Sequence, residues 1–328
     1  MPNYNHARFL PGALESLLAQ SYQPFEIVIV DDGSTDESLE VLGRIAAQHP
    51  IIKLHRNDGN LGVVRTLQRL TGLAQGDYLF FPAADDRILP GLLERTMDML
   101  ERHPEAGLCG SLSYIIDAEG HRIGSAPNLL GATAPVAMSP TDVRRTFSPR
   151  GDDTWPICGN TTIYRRDALL AEGGFREDLH AFSDGFLLRV ISLRYGACFI
   201  PEPLAESRPL DTGYAASYRA NTASRDLMIR KAAELMRGPY AELFPLGYAD
   251  NWVRSSQLAL RRQQLRDRRA PIREACRQGR PPRGVPAVVA IAALNLEETA
   301  YRFWLHLRLR VPILPRVRAR FRRRLRQA

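Results

Sequence analysis

Residues 25–33, Phe-Glu-Ile-Val-Ile-Val-Asp-Asp-Gly, constrain the fold more than any other stretch of this chain. Ile27, Val28, Ile29 and Val30 are all β-branched and offer no polar face. Such a run suits a strand covered on both sides, the situation of parallel strands in α/β proteins. It stops at two carboxylates and a glycine, which reads as a strand running into a loop. Helical spacing flanks it. Leu10, Leu14, Leu17 and Leu18 share one side of a helix over 8–20. Ser34 and Glu37 have the spacing of a capping box opening a helix over 37–48. The alternation continues with a strand over 51–55, a helix over 63–74 and a strand over 78–81 that leads to Asp85-Asp86. A further helix begins at Pro90, with Leu92, Leu93, Met97 and Leu100 on its apolar side. This order predicts an α/β fold on a mixed, mostly parallel sheet.

Beyond residue 107 the pattern predicts a hairpin over 108–124, a long loop over 125–156 and a strand over 157–164. An amphipathic helix then opens at Asp184 and runs to Tyr195. After about residue 216 the pattern is helical. Two regions follow, 1–215 as the α/β domain and 216–328 as a helical extension. Charge divides the chain in a similar way. Residues 261–328 hold 19 Arg, no Lys and four acidic residues, while residues 1–260 hold 25 basic and 32 acidic ones. A basic tail on an acidic body suggests two tasks, and the tail suits phosphates of a lipid or a nucleic acid. No run of about 18 apolar residues supports a membrane-spanning helix. Cys109, Cys158, Cys198 and Cys276 match no metal or redox spacing and read as free thiols of a reducing compartment, the cytoplasm.

Chemistry concentrates at the ends of two strands, where open α/β sheets bind ligands. Asp31-Asp32-Gly33-Ser34 offers a carboxylate to a base or ribose and a glycine for a close turn; a plain turn and helix cap would use the same residues. The adjacent Asp85 and Asp86 repel one another unless a cation or a donor sits between them. A hard divalent ion held by one or two carboxylates and diphosphate oxygens fits, and so does a surface turn ahead of Pro90. Asp184 is either a helix cap or a general base for a hydroxyl.

Taken in order, the segments resemble glycosyltransferase family 2 over residues 1–210. They are Pro2-Asn3-Tyr4-Asn5, Leu14 to Tyr22, Glu26 to Asp36, Asn60-Leu61-Gly62-Val63, Gln75-Gly76-Asp77-Tyr78, Ala84-Asp85-Asp86 with Pro90, Gly159-Asn160-Thr161, Gly173-Gly174-Phe175 and Ser183-Asp184. The resemblance implies the glycosyltransferase A fold, a Rossmann-like domain that binds nucleotide sugars. It implies that Tyr4 lies against the nucleotide base, Asp32 contacts the base and Asp85 approaches the ribose. Asp86 would help hold Mn2+ or Mg2+ on the diphosphate. Asp184 would be the base in an inverting transfer from a nucleotide-diphospho-sugar donor.

Three departures accompany the resemblance. Ala83 stands where many relatives carry an Asp, no His occurs in 208–211, and the hydrophobic strand expected before Tyr4-Asn5 is missing from the chain start. Arg208 would reach the diphosphate in place of that His, or simply be a surface arginine. Trp155 reads first as a core residue; an acceptor groove lined by Trp155, Asn160 and the loop 125–156 is the other reading. The Arg-rich end, which includes Phe303-Trp304-Leu305 and Arg316 to Arg326, suits peripheral attachment to an anionic membrane surface at its cytoplasmic face. The acceptor would then be a lipid-linked or other glycan of envelope or surface polysaccharide synthesis. Nucleic-acid binding lacks a recognition motif. A catalytically inactive nucleotide-sugar binder is the alternative that Ala83 and the short start suggest.

Overall fold

The computed structural model describes residues 1–147, 156–210, 213, 214, 216, 218 and 221–277. Strands β1 (Pro2–Asn3), β2 (Ile27–Asp31) and β3 (Ile52–Arg56) pair in that order, all parallel. Every residue of β2 is buried, as its two apolar faces require. The connections carry helices α1 (Leu10–Leu18) and α2 (Ser38–Gln48), and α3 (Val63–Leu73) follows β3. Ahead of Tyr4-Asn5, the two residues of β1 pair in register with Val30 and Asp31.

A second, mixed sheet follows. Its strands are β4 (Tyr78–Phe80), β5 (Arg87–Ile88), β6 (Leu108–Ile116), β7 (Arg122–Ser125), β8 (Val136–Met138), β9 (Ile163–Arg165) and β10 (Ala197–Ser207). They run in the order β4-β9-β6-β10-β5, with β7 beside β6 and β8 beside β10; β6 and β10 are parallel and the other pairs antiparallel. Helices α4 (Leu92–Arg102), α5 (Pro140–Thr146), α6 (Arg166–Ala171) and α7 (Ser183–Tyr195) are interleaved with them. Successive strand residues face opposite sides. Leu108 and Phe199 therefore enter one core with Tyr164, Val190 and Ile191, while Cys109 and Cys198 enter another with Leu10, Leu92 and Leu100.

Helix α8 (Thr222–Arg237) adds Ile229, Ala232, Leu235 and Met236 to the first of these cores, and Trp252 of α9 (Tyr248–Arg277) joins it. The compact unit that results spans Met1–Gln257. A second unit begins at Leu258, and only its part within α9 is described. The Arg-rich end expected at a membrane lies outside the described residues, as does Trp155. Among the described residues no helix is long and apolar enough to cross a membrane.

Several local expectations change for identifiable reasons. Ser34 does not cap α2; its hydroxyl donates to Asp31 Oδ1 at 2.6 Å and accepts from the Asn5 amide at 2.9 Å. Pro90 precedes α4 without entering it, because Gly91 turns the chain at φ +85° first. The span 125–156 contains β8 and α5, and Ser139 and Asp142 form the reciprocal cap that opens α5. The span 157–164 is a 3-10 turn, Gly159–Thr161, followed by β9. Helix α7 is not amphipathic: every residue from Phe186 to Leu193 is buried, including Arg189. A helix buried all round carries no polar stripe to read.

Strand β10 has no counterpart in the sequence reading, since Pro201 and Pro203 interrupt its pattern. Its pairing with β6 shifts register on either side of Pro203, between Ile200 and Glu206. On its other side β8 pairs only with Ala197–Phe199 and β5 only with Ala205–Glu206. The prolines thus fall where that edge has no partner among the described residues, which is where a strand tolerates a missing N–H.

Gly33 fixes the first strand-end loop. Its φ is +75°, and a Cβ there would stand 2.7–2.9 Å from backbone atoms of Gly59 and Asn60. Gly33→Ala should therefore cost about 1–3 kcal/mol or more of stability. Urea midpoints of the two chains check this; an unchanged midpoint would show that the 57–62 loop gives way freely.

Candidate functional site

Three chain segments converge on one cavity of about 520 Å³. The first is the end of β2. The Asp32 amide donates to Asn3 O at 2.8 Å and that of Asn57 donates to Asp31 O at 2.8 Å, so the loop departs from a paired strand end. Asp31 is wholly buried and ties Asn3, Ser34 and the loop together: its Oδ1 accepts from Asn3 Nδ2 at 2.7 Å and its Oδ2 from the Ser34 amide at 2.9 Å. Asp32 Oδ1 accepts from Asn57 Nδ2 at 2.6 Å and the Leu61 amide at 2.9 Å, and its Oδ2 accepts from the Gly62 amide at 2.9 Å. One carboxylate thus orders the Asn60-Leu61-Gly62 loop at the cavity wall. Tyr4 lies beside it, 40% exposed, followed by Asn5 in the left-handed region at φ +56°. Asn is among the few side chains that accept that conformation readily.

The second segment is Asp85-Asp86, between β4 and β5. Asp86 is buried. Its Oδ1 accepts from the Arg208 amide at 2.8 Å and its Oδ2 from Asn160 Nδ2 at 3.0 Å. Burial pushes its carboxyl up to about 7, and the neighbouring Asp85 adds to the rise. Asp85 is itself raised by burial, against the opposing influence of His6 and Arg208. Against an ordinary value of 3.8, the Asp86 rise corresponds to roughly 4 kcal/mol against its charged form.

The third segment is the start of α7. Phe182 occupies the capping position and Asp184 stands in the first turn, its side chain exposed to the cavity. Its Oδ1 accepts from the adjacent Gly185 amide at 2.7 Å. Although open to the cavity, the carboxyl is enclosed by the walls, and desolvation raises it while Arg189 opposes the rise. Asp184 and Asp86 are linked through the 3-10 turn. A Cβ on Gly159 would stand 2.9 Å from Asp184 Oδ2, and the next residue, Asn160, holds Asp86.

All five residues singled out by the sequence, Tyr4, Asp32, Asp85, Asp86 and Asp184, therefore line the same cavity. Asn160 lines it too, but its amide is engaged with Asp86 and Ser113. Arg208 is not a surface arginine. It is buried, and its guanidinium donates to the carbonyls of Asp85 at 3.0 Å, Asp117 at 2.6 Å and Ala118 at 2.8 Å, with Cζ 4.8 Å from the Phe9 ring centre. Two histidines, His6 and His180, line the cavity without any signal in the sequence. His6 Nδ1 is buried with no hydrogen-bond partner among the described residues. His180 has φ +45° and ψ −126°, which a sequence does not reveal.

Comparison with known proteins decides the family. The family model described as glycosyl transferase family 2 matches residues 1–171. This chain belongs to that family. It is 28% identical over 202 residues to the uncharacterized glycosyltransferase YibD of Escherichia coli, covering 60% of this chain and 57% of YibD. The matched stretches span less than two thirds of the length of the curated relatives. Among solved structures, the mannosyltransferase PcManGT of Pyrobaculum calidifontis, in complex with GDP-Man and Mn2+, superposes with a TM-score of 0.58 at 20% identity. That match covers 92% of this chain and 81% of PcManGT. S. aureus TarS 1-349 in complex with UDP-GlcNAc superposes with a TM-score of 0.52 at 15% identity, covering 79% and 78% of the two chains. The fold of this family member is accordingly the glycosyltransferase A fold.

The paired carboxylates fit a divalent cation in one specific way. Among the described residues no group of three or more His, Cys, Asp or Glu side chains is arranged for a metal. Asp85 and Asp86 supply two carboxylates in a poorly solvated position, so the remaining ligands would be phosphate oxygens and water, as hard divalent ions accept. Between 3.8 and about 7 the folded chain keeps the Asp86 proton that the unfolded chain releases. Its burial therefore costs little at pH 4 and below and most above pH 7. In the presence of a chelator, the effect of Asp86→Asn on stability should be more favourable at pH 8 than at pH 4 by about 3–4 kcal/mol. Urea titrations at the two pH values measure this; an equal effect at both would mean that Asp86 is solvated.

Proposed function

We propose that this chain transfers a glycosyl group from a nucleotide-diphospho-sugar to an acceptor hydroxyl, with Asp184 as the base and inversion at the anomeric carbon. The observation that carries the reading is the convergence of Tyr4, Asp32, Asp85, Asp86 and Asp184 on a single cavity. Its volume is within the range of small-molecule sites. Family membership and the nucleotide sugars bound by PcManGT and TarS support the same donor class.

In this reading Tyr4 packs on the base, Asp32 and the loop it orders receive the nucleoside, and Asp85 meets the ribose. Asp86, fixed by Arg208 and Asn160, presents a carboxylate to the diphosphate side of the site. A Mn2+ or Mg2+ ion held there would neutralise charge developing on the leaving diphosphate. The acceptor oxygen bonds to the sugar C1 as the bond from C1 to the diphosphate oxygen breaks. The bonding pair leaves with the nucleoside diphosphate, and the hydroxyl proton passes to Asp184. A carboxyl raised by desolvation is a better proton acceptor at neutral pH than a solvated one, and such a base contributes roughly 10²–10⁴-fold. Approach opposite the leaving group inverts C1. A glycan of the cell envelope or surface would be the acceptor.

The donor is tested by melting the protein with nucleoside diphosphates and their sugars, with and without Mn2+. A specific ligand raises the melting temperature by mass action. One nucleotide should do so in a cation-dependent manner, and Asp86→Ala should abolish the cation dependence. Asp184→Asn should keep donor binding and lose transfer by roughly 10²–10⁴-fold. Binding without turnover in the wild-type chain would favour the inactive binder, and near-normal transfer by Asp184→Asn would remove it as the base.

A further inference from the structure

Beside Asp184 the cavity wall changes character from carboxylates to aromatic rings. His180 and Tyr214 both line the cavity, and Tyr214 is 42% exposed. Each stacks on Tyr218: the His180 and Tyr218 ring centres are 5.3 Å apart at 30°, those of Tyr214 and Tyr218 are 6.4 Å apart at 27°. Tyr218 is anchored from behind, its hydroxyl donating to Ser224 O at 2.6 Å in the first turn of α8. The result is a pair of presented rings on a fixed support. Tyr214 is also close enough to Asp184 for that carboxylate, after burial, to contribute to raising its phenol.

The backbone at His180 supplies an independent reason to look here. Its φ of +45° lies where glycine is at ease and a β-carbon is strained. A glycine would make the same turn into α7 without strain, so the turn does not explain the side chain. Strain retained in a cavity wall, four residues before the carboxylate of the site, points to a use for the ring.

From these features, and resting on the glycosyl-transfer reading above, we infer that His180, Tyr214 and Tyr218 form an aromatic platform for a saccharide acceptor, stacking a pyranose ring while one of its hydroxyls faces Asp184. One face of a pyranose carries several C–H bonds whose hydrogens are slightly positive, and the faces of aromatic rings are negative. The ring edge carries the hydroxyls. A sugar lying flat on the rings therefore directs hydroxyls sideways, the geometry a neighbouring base requires. A lipid alcohol would match a continuous apolar wall. A serine side chain has too little surface for the rings to hold.

The test uses methyl β-D-glucopyranoside and methyl β-D-galactopyranoside as probes, with glycerol and a serine-containing peptide as controls. The full chain is prepared with and without Mn2+ and uridine or guanosine diphosphate. Saturation-transfer NMR with irradiation of aromatic protons should reach the C–H protons of one pyranoside face and not the controls. Tyr214→Ala should weaken that binding roughly five- to tenfold and Tyr214→Phe should retain it. His180→Gly should weaken it as well while melting no lower than the wild type, because it relieves the strained φ. Absence of any pyranoside signal, stronger binding of the peptide, or equal binding by Tyr214→Ala and His180→Gly would overturn the platform. Nucleotide-dependent melting on the same samples separates the two readings. Nucleotide binding without pyranoside binding sinks the platform alone. Ring-dependent pyranoside binding with no nucleotide binding sinks the donor reading and leaves the platform standing.

Discussion

The cavity is organised around three carboxyls, those of Asp85, Asp86 and Asp184, that burial raises above their ordinary range. Two described arginines, Arg208 and Arg189, stand next to these carboxyls. Arg208 places its guanidinium on three main-chain carbonyls and offers Asp86 only its backbone N–H. Arg189 donates to Gly185 O at 2.6 Å and lies 5.2 Å from the Phe182 ring centre. Arg208 fixes the loop that carries Asp85 and Asp86, while Arg189 bonds within α7, whose first turn carries Asp184. Their charges moderate Asp85, Asp86 and Asp184, yet all three carboxyls remain raised by burial. Full neutralisation by arginine would leave a cation little to gain. A carboxylate kept in a poorly solvated position has more to gain from a cation or a proton than a solvated one.

Such a site works only if the carboxylates cannot drift apart, and the 3-10 turn at Gly159–Thr161 supplies the connection. Thr161 Oγ1 donates to Ser111 O at 2.8 Å and accepts from the Ser111 amide at 3.0 Å, which fastens the turn to β6. Ser113, two residues along the same strand, accepts from Asn160 at 3.2 Å. Asn160 then holds Asp86 while Gly159 leaves room for Asp184. The long strand β6, buried at its first six positions, is thus the ruler against which both carboxylates are set. Rigid elements support precise sites better than loops do.

The proposed donor side of the cavity was the part most legible in the sequence, because its residues stand at the ends of strands. A strand announces itself by its apolar run, and its C-terminal end in an α/β sheet is where ligands lie, so Asp32, Asp85 and Asp86 stood out as candidates, with a plain turn as the other reading until the resemblance chose between them. Asp184 was legible through the resemblance and not through its helix, which was expected to be amphipathic and is buried all round. Strand β10 was hidden by Pro201 and Pro203, and with it the meaning of Arg208. A buried arginine bonded to carbonyls of the 117–118 turn depends on contacts across about 90 residues, which no local pattern encodes. Ser139-Pro140 followed by Asp142 was a readable helix start inside a span taken as loop. There the signal existed and polar composition obscured it.

The proposed acceptor side resists sequence reading for a different physical reason. Nucleotides share a base, a ribose and a diphosphate, so chains that bind them face the same chemical problem and can meet it with contiguous motifs at fixed strand ends. Acceptors differ, and their recognition depends on shape brought together from distant segments. His180 precedes α7, whereas Tyr214 and Tyr218 come after β10, and their rings meet only because β10 returns the chain to the same cavity. Aromatic residues at such positions are indistinguishable from core residues in a one-dimensional pattern. What separates them is exposure at Tyr214 and backbone strain at His180, two properties that come into existence only when the chain has folded.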